Sequence, residues 1–138
     1  MPAETKRGPF ISYQIDFDRM SGDGPLPPRK SLWIKANGQA PAGERLHSAL
    51  LAYESDSALL GTARMPHRGS FKQGELQMAS LDHAMWFHEP VNVNDWLLYT
   101  MESPASASGR GYNRGMIYTQ DGRLVASCIQ EGLMRLWD

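Results

Sequence analysis

The chain holds a single cysteine, Cys128, so it can form no internal disulfide, and a reducing compartment suits it best. It has no apolar run near the ~18 residues that a membrane span requires. Nor does either sign of charge dominate: 14 Lys and Arg against 15 Asp and Glu give a net charge of −1. So weak a field excludes a broad electrostatic hold on nucleic acid or on an anionic membrane. An anionic ligand must then be gripped by a local basic patch. The first residues, Met1–Pro2–Ala3–Glu4–Thr5–Lys6–Arg7, lack the apolar centre of a signal peptide, and Arg135–Leu136–Trp137–Asp138 is not a Ser-Lys-Leu peroxisomal address. These absences point to a soluble, cytoplasmic chain.

What is present is a globular composition. At 138 residues, 41% hydrophobic and 21% charged, the chain suits one domain with a real core and excludes disordered or collagen-like classes. Ile11, Tyr13, Ile15 and Phe17 alternate with polar residues, as in a half-buried strand. Ser21–Gly22–Asp23–Gly24–Pro25–Leu26–Pro27–Pro28 reads as a loop, and Ser31–Leu32–Trp33–Ile34–Lys35–Ala36 as a second strand ended by Asn37–Gly38.

One helix follows Pro41, with Leu46, Ala49, Leu50, Tyr53, Ser57 and Leu60 recurring on one face and Gly61 as its stop. Residues 62–75 hold Pro66, Gly69 and Gly74 among basic groups and read as a mobile or ligand-facing loop. Strands are expected at Leu76–Leu81, Trp96–Ser103, Gly111–Thr119 and Leu124–Leu136, the last two joined through Gln120–Asp121–Gly122. Helices do not alternate with the late strands, so one helix across a curved antiparallel sheet, an α+β fold, satisfies the pattern.

The densest chemistry lies in Ser80–Leu81–Asp82–His83–Ala84–Met85–Trp86–Phe87–His88. Such crowding of imidazole, carboxylate and aromatic groups suggests a pocket lining, although Trp86 and Phe87 are of types that more often fill a core. His83 and His88 are five apart, which is not the spacing of a helical zinc pair, and no metal is expected. His88–Glu89–Pro90 reads as a turn anchor. Asp56 falls at the border of the helix's apolar stripe, where partial desolvation would make it a better base. Helix stability alone does not ask for an acid so near the C-terminal half.

Gln130 shares a strand face with Leu124, Ala126, Cys128 and Met134, and a buried amide must find partners for both its ends. Ser80 ends a strand with Met78 on its face, outside any Gly-x-Ser-x-Gly elbow. Arg110 and Arg114, set among Gly109, Gly111 and Gly115, could grip a phosphate, but two arginines make no nucleic-acid footprint. Cys128, in Val125–Ala126–Ser127–Cys128–Ile129, reads as a buried small hydrophobe.

The stretch Ser80 to Pro90 resembles the signature segment of type II acyl-CoA thioesterases. So, in collinear order, do Leu32–Trp33–Ile34–Lys35–Ala36–Asn37–Gly38, Leu50–Leu51–Ala52–Tyr53–Glu54–Ser55–Asp56 and Asn94–Asp95–Trp96–Leu97–Leu98–Tyr99. Arg110–Gly111, Tyr118–Thr119–Gln120–Asp121–Gly122 and Gln130–Glu131–Gly132–Leu133–Met134–Arg135 continue the likeness over nearly the whole chain. The resemblance implies a hotdog fold, an antiparallel sheet wrapped around one long helix, and hydrolysis of fatty acyl-CoA to a free acid and coenzyme A. It implies a catalytic set of helix Asp, strand Ser or Thr, and final-strand Gln, matched here by Asp56, Ser80 and Gln130. His83, Trp86, Phe87, Arg110 and Arg114 are the expected substrate contacts, with no cofactor required.

Family members carry two hotdog units, and this chain, residues 1–138, resembles the second. The expected partner is therefore another copy, as a homodimer or larger oligomer, or a second hotdog unit. The alternative is a half that binds acyl-CoA or builds an interface without turnover. A hotdog dehydratase would want a His/Asp or His/Glu pair on the helix, which His47, nine residues from Asp56, does not make.

Overall fold

The structure is a computed structural model that describes residues 4–15, 22, 24–72 and 74–136. Strands β1 (Glu4–Arg7), β2 (Phe10–Gln14) and β3 (Arg29–Ala36) lead to helix α1 (Glu44–Arg64) and a 3₁₀ turn at Met65–His67. Then come β4 (Leu76–Ser80), β5 (Ala84–Phe87), β6 (Leu97–Ala107), β7 (Arg110–Thr119) and β8 (Leu124–Leu136). All pairings are antiparallel, in the order β1-β2-β3-β6-β7-β8-β4. β5 continues that far edge beside β4, pairing with β8 over Ala126 to Ile129 while β4 takes Gly132 to Leu136. This is the helix-and-sheet layout of the hotdog fold. Among the described residues no helix is long and apolar enough to cross a membrane.

Several expected elements are shifted, each for a physical reason. The helix passes Gly61 and runs to Arg64, because Gly61 serves contact rather than termination: a Cβ there would lie 3.2 Å from Lys30 Nζ. The first expected strand is shorter than its alternation suggested: β2 spans Phe10–Gln14, and Asp16 and Phe17 lie outside the described residues. Of the expected loop at Ser21–Pro28, Ser21 and Asp23 lie outside the described residues too. β1 carries Glu4, Thr5 and Lys6, too polar to announce itself, and forms because β2 offers it an edge. The run 84–87 is a strand, and Leu97–Ala107 outlasts Ser103 by passing Pro104 at a bulge. Residues 65–67 are helical rather than irregular.

The largest correction concerns the buried face of α1. Leu46 and Tyr53 of the expected apolar stripe are 40% and 65% exposed. The face on the sheet holds His47, Leu51, Glu54, Ser55, Leu59, Thr62 and Ala63. Of the polar groups there, Thr62 Oγ1 has no hydrogen-bond partner among the described residues, whereas His47 is fully engaged. His47 Nδ1 accepts from the Val93 N–H at 3.0 Å, and its Nε2 meets the Pro41 carbonyl at 2.8 Å. Both imidazole nitrogens are thus engaged with backbone. Beneath the helix, Phe10, Ile34, Leu51, Leu59, Leu97 and Ile117 are almost wholly buried. At roughly 25 cal/mol per Å² such apolar burial is the main favourable term of folding.

Lys30 shares this inner side with Leu32, Ile34 and Ala36. Burial pushes its ammonium down from 10.5 to about 8. Folding therefore disfavours the charged form, and stability rises as pH climbs from about 8 to about 10.5. At 1.36 kcal/mol per pH unit that rise amounts to about 3 kcal/mol at most. Lys30→Met is expected to remove the alkaline rise and to stabilise the chain at pH 7, measured by urea unfolding at pH 7 and pH 10.

Candidate active site

Ser80 closes β4 opposite Gly132, and Gln130 stands two residues earlier on β8, so both side chains meet α1 from the sheet side. Asp56 comes down from the helix. Ser80 Oγ–H donates to Asp56 Oδ1 at 3.0 Å, and the Gln130 amide donates to Ser80 Oγ at 2.7 Å and also to Asp56 Oδ1. The three groups converge although they lie 24, 50 and 74 residues apart in pairs. Both donors go to one carboxylate oxygen, Oδ1.

Gln130 is buried, whereas the Asp56 side chain is 47% exposed. The expected desolvated acid at the core border is therefore a carboxylate on the rim, held by two donors. It opens on a cavity of about 510 Å³ lined by Tyr53, Ser57, Leu81, Asp82 and His83 among others.

His83 approaches from the β4–β5 connection, with Nδ1 4.0 Å from Asp56 Oδ1 and Nε2 2.9 Å from Ser55 Oγ. Ser55 gives its proton to the Ala52 carbonyl at 2.8 Å, so it accepts from His83 Nε2–H. The Tyr99 hydroxyl in turn donates to the Ser55 carbonyl at 2.6 Å and lies 3.3 Å from Cys128 Sγ. Burial pushes both the Tyr99 phenol and the Cys128 thiol up, so both stay neutral at pH 7. Cys128 is buried, as its neighbours suggested.

Ser55 and Tyr99 escaped the reading of the sequence. The one signal for Ser55 was its place beside Asp56. Asp82 is structural: its Oδ1 accepts the Glu131 N–H at 2.6 Å, and the Leu81 and Asp82 N–H groups both point at the Glu131 carbonyl. The connection is thereby clamped onto β8.

The remaining expected contacts lie elsewhere. Trp86 and Phe87 are 50% and 42% exposed on edge strand β5 and do not line the cavity around Asp56. Arg114 pairs with Glu102, and Arg110 lies 3.6 Å from Glu131. His88 anchors its turn, with Nε2 2.9 Å from Ser127 Oγ.

A family model described as acyl-CoA thioesterase matches residues 11–133. The chain belongs to the acyl-CoA thioesterase family. The mouse acyl-coenzyme A thioesterase 8 is 43% identical over 112 residues, covering 80% of this chain and 34% of the relative. The acyl-CoA thioesterase 2 of Haemophilus influenzae is 42% identical over 110 residues, covering 80% and 38%. Among solved structures, the acyl-CoA thioesterase II TesB2 of Mycobacterium marinum superposes with a TM-score of 0.81 at 37% identity, covering 94% of this chain and 50% of that one. The chain thus spans little more than a third of the curated relatives it matches.

The cluster depends on how closely α1 sits on β7 and β8. Gly111 and Gly132 face each other across those strands; a Cβ on Gly111 would lie 2.4 Å from Ala63 Cβ, and one on Gly132 2.1 Å from Leu60 Cδ1. Ala63 Cβ is fixed to the helix backbone and cannot swing away. Gly111→Ala is therefore expected to cost about 1–3 kcal/mol, as overpacked sites do, seen as a lower urea midpoint at unchanged slope.

Proposed function

We propose that the chain hydrolyses fatty acyl-CoA to free fatty acid and coenzyme A, with water as the nucleophile. The observation that carries this reading is the convergence of Asp56, Ser80 and Gln130 on one carboxylate oxygen beside an open cavity. Asp56 takes a proton from a water poised over the thioester carbonyl while the water's oxygen attacks the carbonyl carbon. The tetrahedral intermediate then expels the thiolate, which recovers a proton from Asp56. Ser80 and Gln130 hold the carboxylate and orient the water, so that a loose encounter becomes a near-attack geometry. Ser80 is no covalent nucleophile in this scheme: its proton goes to Asp56, and no imidazole among the described residues receives it.

His83 is the substrate contact that faces the reacting groups. Trp86 and Phe87 are assigned to the rim, and Arg110 and Arg114 would reach a phosphate only by exchanging their glutamates. A thiol-release assay across short- to long-chain acyl-CoAs tests the reading. Asp56→Asn is expected to cut kcat by about 10³-fold, within the range for a lost general base, and Ser80→Ala by about 10–100-fold. Full turnover in Asp56→Asn would overturn the assignment. Binding of acyl-CoA without any thiol release would instead fit a half unit that holds substrate passively.

We propose further that this single unit, equivalent to the second hotdog of a double-hotdog enzyme, pairs with another copy or a second unit along β4 and β5. That edge carries Leu81, Trp86 and Phe87, at 51%, 50% and 42% exposure. The opposite edge, β1, is guarded by Glu4 and Lys6 instead. In size-exclusion chromatography the chain is expected to elute as a dimer or larger, and Phe87→Asp to shift it toward the monomer. A strictly monomeric wild type at micromolar concentration counts against self-pairing.

A further inference from the structure

Coenzyme A carries its negative charge on a phosphorylated adenosine at the end of a pantetheine arm. The arginines first considered for that end are tied to Glu102 and Glu131. A different basic site stands on the reactive side of the helix. A cavity of about 490 Å³ opens where the end of α1 meets β4, lined by Arg64, Arg68, Phe71, Leu76 and Met78 with the backbones of Gly69 and Gly74. Resting on the hydrolytic reading above, we infer that this cavity binds the phosphorylated adenosine of coenzyme A.

Position, charge and shape support the assignment. Ser57, which lines the reactive cavity, and Arg64 lie seven residues apart, on one face of α1 and about 10 Å apart along its axis. Ser80 and Leu76 lie four residues apart on one face of β4, about 13 Å. The two cavities thus follow one another along the same helix and the same strand. The arm of coenzyme A, comparable to four or five extended residues, is roughly 15 Å long and spans that separation.

The far cavity has no carboxylate in its lining among the described residues. Its Arg64 guanidinium lies 5.4 Å from the centre of the Phe71 ring. A guanidinium beside an aromatic face offers a phosphate a planar donor pair and an adenine a stacking surface. Several hundred Å³ suit a group of nucleotide size. Arg64 also complements the dipole at the helix end, which accounts for a basic residue there. That role requires neither the ring beside it nor Arg68 beyond it.

The probes are coenzyme A, 3′-dephospho-coenzyme A and pantetheine, titrated calorimetrically into the full chain. Coenzyme A is expected to bind at least tenfold more tightly than pantetheine. Arg64→Ala is expected to weaken coenzyme A about tenfold, the loss of one charge-assisted hydrogen bond, and to flatten the salt dependence. Phe71→Leu, which keeps the charges, should weaken it severalfold through lost stacking. Equal affinity for coenzyme A and pantetheine, or equal losses for both in Arg64→Ala, would overturn the site.

Kinetics separate this inference from the catalytic one. The tenfold KM difference between wild type and Arg64→Ala should vanish with an acyl-pantetheine substrate, which lacks the nucleotide. A wild type that turns over acyl-CoA and acyl-pantetheine with the same KM keeps the catalytic reading and loses this site. A wild type that turns over neither loses the catalytic reading, while the titration still decides the site. An Arg64→Ala defect seen only with acyl chains ending in a second carboxylate would place the acyl tail there and overturn the assignment.

Discussion

Helix α1 lies on β7 and β8 at a distance that only glycine permits, and the rest of the arrangement follows from that approach. Gly111 and Gly132 sit under Ala63 and Leu60, and Gly115 under the Tyr99 ring. One helical turn back from Leu60 is Asp56, about 6 Å along the axis. Two residues back from Gly132 is Gln130, about 7 Å along its strand. These two steps match, so the contact between Leu60 and Gly132 sets the contact between Asp56 and Gln130. Ser80 joins because β4 pairs Ser80 directly with Gly132. The close approach of one helix to one pair of strands thereby positions three side chains remote in sequence.

Alternation and turn chemistry carried much of the sheet. β3, β4, β7 and β8 lie within a residue or two of their expected bounds, because each is half-buried and bounded by turn residues. β5 escaped notice because Ala84–Phe87 is an edge strand whose only partner among the described residues is β8, and an edge does not impose strict alternation. The face of α1 was misread for a more instructive reason. Hydrophobic periodicity assumes that apolar residues face the core. Here the core face is half polar, and groups far away in sequence meet its His47 imidazole, through Val93, and its Ser55 hydroxyl, through His83. Such partners are invisible to a local pattern.

The candidate site was legible as a set rather than residue by residue. Asp56, Ser80 and Gln130 were each ambiguous alone, and their selection came from the family resemblance; what no pattern could supply was their hydrogen bonding. The environment of Asp56 was read less well, for the same reason that the helix face was. An acid placed near the core border on the wrong stripe becomes, on the right one, an acid on the rim. The arginines illustrate a further limit. Arg110 and Arg114 looked available in sequence, yet the register that sets Glu102 opposite Arg114 fixes the pairing of at least one of them.

A rim position for Asp56 bears on the choice between kinds of hydrolysis. A covalent mechanism needs an activated hydroxyl, and among the described residues the hydroxyl that touches the carboxylate, that of Ser80, hands its proton to it. A water mechanism needs solvent at the carboxylate and a fixed direction for its lone pairs. Exposure of about half the Asp56 side chain supplies the first, and two donors on a single oxygen supply the second. On the proposed reading, burying the same carboxylate would cut it off from the water it is to activate. Orientation rather than burial of the acid carries the efficiency on that reading, and Gln130, the one fully buried member of the trio, is the residue that holds the other two in place.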